Sequence, residues 1–192
     1  MRIAVNPTNP ERPKSLHPIP SHATCVFKGI LFDVYQWQQT MFDGTEQTFE
    51  KLKRADSVGI IPATEDGKII VTVEEQPGRE KFLSIPGGRI DAGETPKDAA
   101  ARELREETGY VAQEFKLLVA EQPSSKIDWA VYIYVGVGCR KAGELELDAG
   151  ERITPRLVTF DDFFALIKEG KIREWTLHRL TPTQLRAKLN GK

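Results

Sequence analysis

The stretch from Gly88 to Tyr110 limits this chain more than any other, because it crowds acids onto one side of a short helix. Its start and stop signals are clear. Thr95 suits an N-cap, Pro96 the first helical position and Asp98 the place of a capping-box acid. Gly109 suits the left-handed position after the last turn. A helix is therefore predicted with Thr95 as its cap, ending at about Thr108. At 100° per residue, Glu103 and Glu107 stack on one face and Glu106 lies beside them. Ala101, Leu104 and Thr108 fall on a neighbouring face, expected to pack on a sheet. Three ionised carboxylates so close repel one another. A hard divalent cation reverses that sign, since magnesium takes few oxygen ligands from protein and leaves positions for water and phosphate.

The flanks fit the same picture. Arg102 offers a planar fork that can hold Glu94 bidentately and fix the preceding loop against the helix. Gly87 and Gly88 permit tight turns and close approach, so a loop carbonyl can also face the ion. The rival reading of Glu103, Glu106 and Glu107 is a solvated acidic face. The loop glycine, Glu94 and the helix pattern together outweigh it.

The rest of the chain reads as one domain with a small addition. Residues 1–23 hold Pro7, Pro10, Pro13, Pro18 and Pro20, which predicts an extended arm. Val26–Trp37 reads as one strand, and Asp43-Gly44 as a turn between Gln38–Phe42 and Thr45–Leu52, giving an antiparallel meander over 24–56. A second hairpin is expected from Ser57–Pro62, Asp66-Gly67 and Lys68–Glu74. Strands at Glu114–Glu121 and Ala130–Val137, then helices at Asp161–Glu169 and Thr183–Leu189, complete an α/β or α+β domain with a mixed sheet.

Net charge is −1, without the basic excess of a non-specific nucleic-acid binder. No apolar run reaches the roughly 18 residues of a membrane span, and the N-terminus does not read as a signal peptide. Cys25 and Cys139 lack metal-like spacing and read as two thiols in a reducing cytoplasm.

Gly88 to Tyr110 fills every fixed position of G-x5-E-x7-R-E-U-x-E-E-x-G-U, where U is a bulky apolar residue, and so resembles the Nudix box. Tyr110 is aromatic where an aliphatic residue is commoner. The resemblance implies an α/β/α sandwich around a mixed β-sheet and dependence on Mg²⁺ or Mn²⁺. It makes Glu103 and Glu107 the principal metal ligands, Glu106 a further ligand or base, Arg102 and Glu94 the orienting pair, and the Gly87 carbonyl another ligand. The wider chain is similar to the ADP-ribose pyrophosphatase branch in its N-terminal meander, in Arg54–Pro62, in Asp66-Gly67-Lys68, in Glu75–Arg79, and in Pro123 after the box. Ser124–Trp129 departs from that branch's acidic pattern. In that branch the meander contributes to a dimer, and a homodimer is expected here. The loop Gly143–Arg152 looks like the family loop that carries a base, with Glu151 preferred and Glu144 and Glu146 as alternatives.

A diphosphate diester carries about two negative charges, which Arg54 or Arg79 can meet; surface arginine is the bland alternative. Trp37 or Phe42 can stack on a base, or simply pack in the sheet. The expected reaction is hydrolysis of ADP-ribose or a nucleotide sugar to a nucleoside monophosphate and a sugar phosphate. Two rivals remain, a house-cleaning triphosphate pyrophosphohydrolase and a nucleotide sensor without turnover.

Overall fold

The computed structural model describes residues 10–147 and 149–190. Residues 1–9 of the arm, with Pro7, and Asp148 of the loop before Glu151 lie outside the described residues. The rest of the arm is pinned down. Arg12 reaches Asp56 at 2.7 Å and Asp128 at 3.0 Å, and Gln122 donates to the Pro13 carbonyl at 2.8 Å. Buried Lys51 donates to Ser15 Oγ at 2.9 Å and to the His17 carbonyl at 2.5 Å.

The meander comprises β1 (Thr24–Lys28), β2 (Asp33–Thr40) and β3 (Glu46–Lys53), all antiparallel. The single strand expected over Val26–Trp37 is broken. The chain reverses at Gly29, whose amide donates to the Phe32 carbonyl at 3.1 Å. A Cβ at Gly29 would lie 2.5 Å from that oxygen and 2.9 Å from the Phe27 ring, so β propensity on either side yields to a turn that needs glycine. The Asp43-Gly44 turn is present, with Gly44 at φ 83°.

The core begins with β4 (Ser57–Thr64) and β5 (Ile69–Glu75), joined through a turn with Gly67 at φ 79°. This hairpin is shorter than the sequence suggests. The two strands pair only at Ala63 and Ile69, then splay. The opening is filled by β6 (Phe82–Ser84) along β5 and β7 (Gly87–Arg89) along β4, so Gly87 and Gly88 are delivered inside the sheet. Helix α1 (Pro96–Thr108) follows, then β8 (Tyr110–Val111), β9 (Glu114–Glu121), β10 (Ile127–Asp128), β11 (Val131–Lys141), β12 (Arg152–Val158), α2 (Phe160–Lys168), a short 3-10 turn (Trp175–Arg179) and α3 (Pro182–Leu189). The central order is β12-β5-β4-β11-β8. β4 and β11 run parallel and the other pairs of that order antiparallel, so the sheet is mixed. β10 runs parallel to β3 and ties the meander to the core.

Alternation along the strands sorts the two faces. Val58 and Ile60 meet Ala99 and Ala100 of α1, while Ile70 meets Leu104. Ile61, Val71, Ile133 and Val135 turn the other way onto Phe163 and Ile167 of α2 and Leu185 of α3. The result is an α/β/α sandwich. Ala101, expected on the packed face of α1, is exposed; Ala99 and Ala100 take that place one and two residues earlier. No helix among the described residues is long and apolar enough to cross a membrane.

Candidate active site

Helix α1 is built as its sequence suggests. The Asp98 amide donates to Thr95 Oγ1 at 3.2 Å, Pro96 opens the first turn, and Gly109 closes the last at φ 68°. Burial of Leu104 against Ile70 sets the helix's rotation, and that rotation carries Glu103 and Glu107 inward as well, at 9% and 6% exposed. The Gly87 amide donates to Glu107 Oε2 at 2.9 Å, joining β7 to the helix. Gly88 passes so close to Glu103 that a Cβ there would clash with the carboxylate.

Arg102 organises the acids. It grips Glu94 with two bonds of 3.0 Å, reaches Glu103 at 2.8 Å and Glu106 at 3.0 Å, and donates to the Arg89 carbonyl at 3.0 Å. Glu94 in turn accepts from the Asp91 amide at 3.2 Å. Contact with Glu94, then with Glu103 and Glu106, raises the guanidinium pKa further above its already high value. Burial raises Glu103, with Arg102 opposing, and pushes Glu107 up to about 9 against the Gly87 bond.

Arg102, Glu103, Glu106 and Glu107 line a cleft of about 380 Å³ with Gly87, Gly88, Arg89, Asp91, Leu31, Arg54, Glu146 and Glu151. Glu151 is exposed at this cleft, in the electrostatic reach of Glu103 and Glu107. Glu146 is held by Arg105 at 3.2 Å, and Glu144 is exposed outside the lining.

Of the four expected substrate contacts, Arg54 alone lines the cleft. Its guanidinium lies 4.8 Å from the Trp129 ring centroid and 5.7 Å from that of Phe32, and its Nε is buried without a hydrogen-bond partner. The other three are elsewhere in the protomer. Trp37 packs on Phe49 across the meander, 6.0 Å between centroids, because cross-strand pairing on β2 and β3 faces them together. Phe42 sits fully exposed beside the hairpin turn. Arg79 bonds Gln76 in its own turn and lines a separate groove with Lys81 and Arg173.

Sequence reasoning missed Glu74, which lies on the α1 side of β5 and is the largest source of charge repulsion felt by Glu107. It also missed Leu31, Arg89 and Asp91 in the lining. Glu74 stands at the end of an apolar run, and that position was its only signal.

Whether the donors suit a divalent cation follows from their chemistry. All are hard carboxylate oxygens, and two are buried where an ionised acid is costly without a compensating charge. Among the described residues no three acids, histidines or cysteines are already gathered as a cage. Arg102 accounts for this, since it engages Glu103 and Glu106 together. The donor set fits such an ion once that grip is shared.

The model of the NUDIX domain family matches residues 53–180. An ADP-ribose pyrophosphatase of Bacillus subtilis is 29% identical over 150 residues, covering 77% of this chain and 81% of the relative. A methanol dehydrogenase activator of Bacillus methanolicus is also 29% identical over 150 residues, with the same shares of the two chains. A solved structure described as an ADP compounds hydrolase superposes with a TM-score of 0.72 at 22% identity, covering 93% of this chain and 97% of its own, which shows a shared fold. With two thirds of its length matched by the family model and a complete box on α1, the chain belongs to the Nudix family and is a pyrophosphatase of that family, a hydrolase of phosphoric anhydrides.

Proposed function

We propose that this enzyme hydrolyses the diphosphate bond of ADP-ribose or a nucleotide sugar with Mg²⁺ or Mn²⁺, giving a nucleoside monophosphate and a sugar phosphate. The observation that carries this reading is the gathering of two buried carboxylates, Glu103 and Glu107, in one cleft with Arg102, whose guanidinium is held by Glu94. The relative from B. subtilis, similar over most of both chains, supports the substrate class.

Glu103 and Glu107 would hold the cation, with Glu106 and the Gly87 carbonyl as further donors. A bound divalent ion neutralises the diphosphate and acidifies water there. Arg102 and Glu94 orient the donors. Arg54, stacked but with an unsatisfied Nε, is suited to a phosphate oxygen. Glu151, at the cleft, adds a carboxylate that can bear on the attacking water. Residues 24–56 form the dimerisation element, supported by their exposed apolar side chains. A cytoplasmic setting is supported by two free thiols, Cys25 and Cys139.

The test is product analysis on ADP-ribose, GDP-mannose, dinucleoside polyphosphates and nucleoside triphosphates, with Mg²⁺ and with chelator. Monophosphate release from ADP-ribose or a nucleotide sugar, abolished by chelator and by Glu107→Gln, is expected. Turnover confined to triphosphates would overturn the substrate class. Binding without turnover across the panel would overturn catalysis.

A further inference from the structure

Among the described residues three arginines line the cleft, and two of them are already engaged. Arg102 is bonded to Glu94, Glu103 and Glu106, and Arg89 to Asp91 at 3.3 Å. The Arg54 side chain makes no hydrogen bond or ion pair among the described residues, and its buried Nε lacks a partner. Ring faces hold it instead. The guanidinium carbon lies 4.8 Å from the Trp129 ring centroid and 5.7 Å from that of Phe32. A ring face attracts a cation without occupying its N–H groups, which lie in the guanidinium plane. Stacking therefore fixes Arg54 and leaves its donors for an anion. A carboxylate would fix it too, but would take the donors and offset the charge.

Trp129 is set in this place by backbone register. The amides of Leu52, Arg54 and Ser57 donate to the carbonyls of Lys126, Asp128 and Ala130 at 3.1, 3.3 and 3.0 Å. The segment that carries Arg54 thus runs alongside the one that carries Trp129. The indole Nε1 donates to Ser57 Oγ at 3.0 Å, which orients the ring. Arg12 ties the two segments together, bonding Asp56 at 2.7 Å and Asp128 at 3.0 Å. Phe32 comes from the turn before β2, next to Leu31 of the cleft lining. Neither ring belongs to that lining, so each bears on the cleft through Arg54.

We propose that Trp129, assisted by Phe32, is a positioning residue that holds Arg54 for the diphosphate of the substrate. This rests on the hydrolase reading given above and deepens it. The phosphate charge that Arg54 meets is present before and during bond breaking, so losing the contact falls on KM more than on kcat.

The experiment compares full-length wild type, Arg54→Ala, Trp129→Leu, Trp129→Phe, Phe32→Leu and the double variant Arg54→Ala with Trp129→Leu. It follows kcat and KM on ADP-ribose with Mg²⁺. Separately, calorimetry reads the affinity for α,β-methylene-ADP, whose bridge cannot be hydrolysed, and circular dichroism checks folding. Arg54→Ala is expected to raise KM about 10- to 100-fold with kcat within about threefold. Trp129→Leu should raise KM about 3- to 30-fold and Phe32→Leu about 2- to 5-fold, while Trp129→Phe, which keeps a ring face, stays within about threefold of wild type. Once Arg54 is alanine, Trp129→Leu should add less than about twofold, because the group it holds is gone. Affinity for the analogue should fall in step with KM. An unchanged KM in Trp129→Leu, or a loss confined to kcat, overturns the assignment. An effect of Trp129→Leu as large without Arg54 as with it also overturns it, since the indole would then act on its own. Where Trp129→Leu does not fold, the same cycle run with Phe32→Leu decides. If wild type binds the analogue but turns over no member of the substrate panel, the hydrolase reading fails, and the affinity cycle still judges the role of Trp129.

Discussion

Arg102 is the residue on which the site's geometry converges, because one fork touches Glu94, Glu103, Glu106 and the Arg89 carbonyl. Lysine keeps the charge but cannot span a bidentate partner and two further acids. Arg102→Lys is therefore expected to lower kcat/KM by about 10- to 100-fold, in the range of residues that orient metal ligands, with the fold retained by circular dichroism. Activity equal to wild type would show that the fork is dispensable. Glu107 gives a second prediction. Its folded pKa stands near 9 against 4.5 for the free side chain, so the native state holds this proton more tightly than the unfolded one. That contribution is fully present below about pH 4.5 and is lost as pH rises through 9. Without divalent ions, wild type should lose melting temperature over that interval more steeply than Glu107→Gln, and Mg²⁺ should restore it in wild type alone. Parallel pH curves for the two proteins would contradict burial as the cause. The box acids were legible because a fixed helical spacing states which of them meet. Glu74 was not, since it joins them only through strand register and the splay of β4 from β5.

At the scale of elements, α1 carries both packing and chemistry, and the two can be separated. Thr95→Ala removes the acceptor for the Asp98 amide and should cost about 1 kcal/mol of stability with the cleft unaltered. Leu104→Ala empties a fully buried position against Ile70 and should cost about 2–5 kcal/mol. Denaturant titration reads both, and activity per folded molecule should stay near wild type for Thr95→Ala. A loss of kcat without a loss of stability in that variant would mean the cap acts on the loop around Glu94 instead. The helix and its ends were readable from Thr95, Pro96 and Gly109. The break at Gly29 was not, because Val26, Phe27 and Phe32 all favour a strand and only the three-dimensional approach of Phe32 to Gly29 forces the turn. The brevity of the β4–β5 hairpin escaped for a like reason. The insertion of β6 and β7 depends on pairing partners distant in sequence.

At the scale of the whole molecule, the meander exposes a group of large apolar side chains. Val26, Phe27, Ile30, Leu31, Phe42 and Phe49 are all exposed there, at 50, 61, 104, 55, 111 and 39%. Six large apolar side chains exposed on about thirty residues exceed the scattered exposure usual for a monomer, and they are the ground for the dimerisation element proposed above. Among the described residues β1 is also an open edge, paired on one side through β2 alone. A second copy of the chain is the partner proposed for the meander, and Leu31, exposed there, also lines the cleft. The wild-type protein is therefore expected to sediment at about twice its chain mass of 21.6 kDa. Phe27→Glu combined with Ile30→Glu puts two charges into the patch without touching a buried residue, and should shift the protein to a monomer with an unchanged circular dichroism spectrum. Because Leu31 sits between the patch and the cleft, the monomeric variant should also show a raised KM with kcat little changed. A wild type that sediments as a monomer at micromolar concentration would rule the dimer out, and a monomeric variant with unaltered KM would confine the interface to assembly alone.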